Sequence, residues 1–73
     1  MIVEIDFPSG LTLRVVCGNW WNTRDGLHLS RITEIKTKKP EGAWLPALET
    51  PARAVMTMKI PKGSIKAIRP ITD

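Results

Sequence analysis

The sequence predicts an all-β domain with little helix, and three observations carry that prediction. Apolar and polar residues alternate over Val3–Phe7 and again over Leu11–Cys17, the period of two that turns one face of a strand toward a core. Turn chemistry recurs in Pro8-Ser9-Gly10, Asp25-Gly26 and Pro61-Lys62-Gly63-Ser64, and Pro40, Pro46 and Pro51 preclude a continuous helix in the longest stretch between apolar runs. The expected architecture is a small five-stranded antiparallel sheet or a partly open barrel, with a long Pro-rich loop before strand 4. With 73 residues the chain is expected to form a single small domain, 1–73.

The first two strands form a hairpin. Val3, Ile5 and Phe7 alternate with Glu4 and Asp6, and Leu11, Leu13, Val15 and Cys17 follow the turn in the same rhythm. Cys17 falls in phase with the inward positions and has no nearby base, so it reads as a small buried residue rather than a nucleophile. Gly18–Gly26 reads as a loop, bounded by glycines and rich in Asn and Asp. Adjacent Trp20 and Trp21 cannot both face inward from an extended chain, because successive side chains point to opposite faces. Either one tryptophan caps the core while the other lies on the surface, or the pair, helped by Arg24, anchors a protein partner or stacks on a base.

Asp25-Gly26 opens the third strand, Leu27–Ile35. Leu27 and Leu29 share a face while Ile32 leaves that phase, which predicts a bulge or bend near Ser30-Arg31. His28 alternates with the two leucines and is expected to point outward. Pro40–Pro51 is expected to be a long loop. Its Trp44, Leu45 and Leu48 either fold back to plug an open end of the barrel or form an exposed apolar epitope. Thr50–Ala54 suits a single helical turn. Val55–Ile60 then forms strand 4 and Ile65–Ile71 strand 5, with no acidic residue between Glu49 and Asp73.

Charge is distributed unevenly. Residues 1–35 set Arg14, Arg24 and Arg31 against Glu4, Asp6, Asp25 and Glu34, whereas residues 36–73 set eight basic residues against Glu41, Glu49 and Asp73. The basic half points to an anionic partner, either an acidic protein surface or nucleic acid, unless it serves solubility alone. Lys36, Lys38, Lys39, Arg53, Lys59, Lys62, Lys66 and Arg69 are the residues expected to face it.

Catalysis finds little to work with. So short a chain has a limited core and no room for a deep enclosed pocket. One cysteine excludes an intramolecular disulfide and a cysteine zinc cluster. His28 has no second histidine or carboxylate at ligand spacing, and Lys62-Gly63-Ser64 lacks the preceding glycine and the helix of a phosphate-binding loop. The expectation is a non-enzyme with no catalytic residue, no metal and no cofactor. The opening Met1–Phe7 has acids within its apolar run and no cleavage site, unlike a signal peptide, and no apolar run reaches a membrane span. A cytoplasmic, monomeric protein is expected.

Two resemblances add to this reading. Lys59–Pro70 resembles the end of Sm-like and SH3-like small barrels, where a short turn joins the last two strands, and this implies architecture alone. The whole chain, from Met1–Phe7 through Trp20-Trp21 to the basic end, resembles the small transcription regulators of lytic phages, of the kind carried by a Xanthomonas phage. That resemblance implies a protein that works in the bacterial host. It would bind the β and β′ subunits of host RNA polymerase, inhibit initiation by displacing the sigma factor, and act as an antiterminator. Independently of the resemblance, exposure and charge select Trp20, Trp21, Arg24, Trp44 and Leu45 as partner-binding candidates. The alternative is a small-barrel nucleic-acid-binding protein that uses the basic C-terminal face and tryptophan stacking.

Overall fold

The chain folds as expected into antiparallel β-structure, with eight short strands among the described residues rather than five. A computed structural model describes residues 1–49 and 57–71. The strands are β1 (Ile2–Asp6), β2 (Thr12–Val16), β3 (Asn19–Asn22), β4 (Gly26–Ser30), β5 (Glu34–Lys38), β6 (Leu45–Glu49), β7 (Met58–Pro61) and β8 (Ala67–Ile71), with a 3-10 turn at Lys62–Ser64 between the last two. They form two sheets, ordered β6-β5-β2-β1-β8 and β3-β4-β7, and the sheets do not close into a barrel. The expected helical turn at Thr50–Ala54, the residues Val55-Met56 and the candidate Arg53 lie outside the described residues.

The β1–β2 hairpin follows from its turn chemistry. The Phe7 carbonyl accepts the Gly10 N–H at 2.9 Å across Pro8-Ser9, and Gly10 takes φ 94°, a conformation that a side chain would disfavour. This register sets Val3 opposite Val15 and Ile5 opposite Leu13. Val3, Ile5 and Val15 are fully buried. From the other sheet Leu27, Leu29 and Ile60 meet them, so the core lies between the two sheets.

The two sheets share a corner. The chain leaves the five-stranded sheet after Val16 and enters the three-stranded one at Asn19, and it makes the reverse passage between Ser30 and Glu34. The bend expected near Ser30-Arg31 is there: Arg31 takes φ 53°, and the Gly18 N–H is shared between the carbonyls of Ser30 and Arg31, each at 3.1 Å. Ile32, out of phase with Leu27 and Leu29, fills this corner with no exposure, and Cys17 is buried beside it at 3%. Burial pushes the Cys17 thiol up, against the lowering effect of the N-terminal ammonium and the Asn19 backbone.

Two loop expectations need correction. Asn19–Asn22 is a strand: Asp25-Gly26 opens the next strand, as expected, but it does so as the far side of a tight hairpin turn that pairs Asn19–Asn22 with that strand. The Thr23 N–H donates to the Gly26 carbonyl at 2.8 Å, with Arg24-Asp25 at the tip. The Pro-rich stretch also contains a strand, since β6 lies at a sheet edge, where a proline needs no second partner.

Candidate functional site

The outer face of the three-stranded sheet carries one row of directly opposed residues. Trp21 pairs with His28 and His28 with Lys59, on the face opposite buried Leu27, Leu29 and Ile60. The Trp21 and His28 rings stack with centroids 5.2 Å apart and planes within 3°. His28 is held from the side as well. Its Nε2 lies 3.1 Å from the Thr23 hydroxyl, which is also 3.2 Å from the Gly26 carbonyl and accepts the Asp25 N–H at 3.3 Å. Trp21 remains 42% exposed, whereas Trp20, on the inward side of the same strand, is half-buried and packs against the core. One tryptophan in and one out is what strand geometry requires.

Around this row the exposed charges are mostly positive. Arg24, Lys59 and Lys62 are exposed, Arg31 lies at the corner, and Asp25 is the acid at the hairpin tip. Beyond Asn22 the 3-10 turn and β8 form a shallow depression lined by Lys62, Ile65, Lys66, Ala67 and Ile68. Ile65 and Ile68 pack against the core and leave part of their surface at its floor.

The outer face of the five-stranded sheet has a different character. Arg69, Glu4, Arg14 and Lys36 stand in register across β8, β1, β2 and β5. Both guanidiniums close over Glu4. Arg14 donates at 2.9 and 2.7 Å and Arg69 at 3.2 Å. Burial alone would raise the Glu4 carboxyl, but the hydrogen bonds and charges of Arg14 and Arg69 outweigh it and hold it below its ordinary value. Asp6 is likewise lowered, by hydrogen bonds from Arg69 and from the Thr12 hydroxyl at 2.8 Å. Arg69 is raised in return by the same two carboxylates. Lys36 lies 3.5 Å from Glu34. Two of the candidates for an anionic partner are therefore compensated, Arg69 by the sequence-distant Glu4 and Asp6 and Lys36 by Glu34 on its own strand.

Trp44 lies on this second face. Its ring sits under the Arg14 guanidinium at 4.2 Å, with the Lys38 ammonium at 5.9 Å. It is half-buried on the outside of the sheet and does not plug a barrel end, while Leu45 beside it is 61% exposed. The partner-binding candidates thus fall into two groups on different sheets: Trp20, Trp21 and Arg24 on one, Trp44 and Leu45 on the other. Lys59 and Lys62 join the first group and Lys38 the second, with Lys39 exposed just beyond β5.

His28, Arg14 and Glu4 shape these two faces, and the sequence named none of them as a site residue, although it did place His28 on an outward position. The Asp25-Gly26 turn carried the signal for His28, since a two-residue hairpin tip at Arg24-Asp25 sets Trp21 opposite it. Among the described residues no group of three or more His, Cys, Asp or Glu is placed to hold a metal ion, and no helix is long and apolar enough to cross a membrane. Compared with models of protein families, curated proteins and solved structures, the chain matches none.

Proposed function

We propose that this protein is a non-enzymatic transcription regulator that docks on bacterial RNA polymerase through the outer face of its three-stranded sheet. The observation that carries the docking role is the Trp21–His28 stack: a rigid, exposed aromatic pair beside Lys59, in a neighbourhood where cations outnumber acids. A preordered tryptophan loses little side-chain freedom on binding, and such residues with flanking cations dominate the energy of many protein interfaces. The polymerase, its β and β′ subunits, sigma displacement and antitermination come from the resemblance of the whole chain to phage transcription regulators.

The test is binding to purified bacterial core RNA polymerase in the presence of nuclease. Trp21→Ala should weaken binding at least tenfold while leaving the folded β-sheet spectrum intact. Added sigma factor should compete. Absence of binding by the unaltered protein, or full binding by Trp21→Ala, overturns the reading. The nucleic-acid alternative draws on the same tryptophan with Lys59, Lys62 and Lys66 nearby, and it would show binding to single strands that falls steeply with salt.

A further inference from the structure

The two sheets leave four edge strands among the described residues: β6 and β8 on one, β3 and β7 on the other. Three of these contain a proline: Pro46 in β6, Pro61 in β7 and Pro70 in β8. Proline removes a backbone donor and is one of the devices that keep an edge from pairing with another chain. Edge strand β3, Asn19-Trp20-Trp21-Asn22, has neither a proline nor a charged residue. It is also highly exposed, with Trp20 alone half-buried.

Its free backbone groups can be assigned. The 2.8 Å bond from the Thr23 N–H to the Gly26 carbonyl marks a hydrogen-bonded pair. In an antiparallel ladder such pairs alternate, so Trp21 and His28 form the next one. The N–H and C=O groups of Trp20 and Asn22 therefore point away from β4, toward the open side. Next to that side, at Asn22, lies the depression floored by Ile65 and Ile68 and flanked by Lys62 and Lys66.

We propose that β3 is a docking edge that accepts an extended segment of a protein partner as a fourth strand of the small sheet. The segment is one that alternates acidic and apolar residues. Its backbone would pair with Trp20 and Asn22, and its inward apolar side chains would cover Ile65 and Ile68. Its acids would meet Arg24, Lys62 and Lys66. Main-chain pairing supplies affinity in this mode of recognition and the flanking side chains supply selectivity. Charge argues against a second copy as the occupant, because an edge paired with itself would bring two basic neighbourhoods together.

This inference deepens the proposed docking role and rests on a protein being the partner. The probe is a capped eight-residue peptide of alternating Glu and Val. A second version is N-methylated at every other residue, and a third carries Lys in place of Glu. Amide hydrogen exchange is read by NMR. With the Glu-Val peptide at saturation, exchange at Trp20 and Asn22 should slow at least tenfold, and neither control peptide should produce this. Asn22→Pro should lower affinity for the Glu-Val peptide at least tenfold with the spectrum of a folded protein. If that variant unfolds, the N-methylated peptide decides alone.

No binding at millimolar peptide, or binding that leaves the two amides unprotected, overturns the proposal. So does protection of the same amides without peptide in a dimer seen by sedimentation. The polymerase experiment separates this inference from the reading beneath it. Polymerase bound equally by the unaltered protein and by folded Asn22→Pro sinks the edge and leaves the docking face. Peptide pairing without polymerase binding sinks the polymerase and leaves the edge.

Discussion

Glu4 sits in the middle of β1 at a position where alternation calls for solvent, yet it is 8% exposed, because Arg14 and Arg69 close over it from the flanking strands. Its carboxyl and that of Asp6 are both held below their ordinary values. Each therefore adds stability that is fully present above the unfolded-state value near pH 4 and is lost as pH falls through the lower native value. The thermal midpoint should drop on acidification below about pH 4. In Glu4→Gln part of that drop should vanish, at a cost near neutral pH of about 1–2 kcal/mol. An acid limb unchanged by Glu4→Gln would assign the drop elsewhere. Gly26 makes a different demand. A Cβ there would lie 2.2 Å from the Ile60 carbonyl oxygen, inside the β4–β7 pairing. Gly26→Ala must separate the two strands and should cost about 2 kcal/mol or more, measured by urea unfolding.

At the scale of elements, the sequence displayed those strands whose two faces differ. The β1–β2 hairpin, the bend at Ser30-Arg31 and the turn at Lys62–Ser64 were legible because alternation and turn residues are local signals. β3 was not, since Asn-Trp-Trp-Asn has no alternation and its glycine boundaries read as loop. β6 was hidden by Pro46, which an edge strand tolerates. The place of Trp44 was illegible for another reason. Its partner, Arg14, is far away in sequence and comes within reach through the β2–β5–β6 pairing. That contact should be measurable. Trp44→Ala should cost about 1 kcal/mol, and a double-mutant cycle with Arg14→Gln should show coupling of about 0.5–1 kcal/mol. Strict additivity would mean that Trp44 packs on the sheet without drawing on the guanidinium.

At the scale of the molecule, the charge split between the two halves of the sequence does not survive folding as a split between two faces. β1 and β8 lie side by side, so the acids of the N-terminal half neutralise Arg69 from the basic half, and Glu34 faces Lys36. Among the described residues, Arg24, Lys59 and Lys62, with Lys66 at the rim, gather at or near the small sheet without an ion pair, whereas on the other outer face Lys38 lies over Trp44 and Lys39 stands exposed just beyond β5. An acidic partner should therefore feel the small-sheet side of the molecule more strongly. Charges on the other outer face act mainly within it, because screening at physiological salt confines exposed charges to about 8 Å. Lys59→Glu combined with Lys62→Glu should weaken polymerase binding at least tenfold at low salt and flatten its salt dependence, with the unfolding midpoint nearly unchanged. Arg69→Gln should do the reverse, lowering stability while leaving binding within about twofold, since its guanidinium is engaged by Glu4 and Asp6. Equal losses of binding in the two variants would mean that the partner spans both sheets. A loss in Arg69→Gln alone would move the docking face to the five-stranded sheet, where Trp44 and Leu45 would become its anchors.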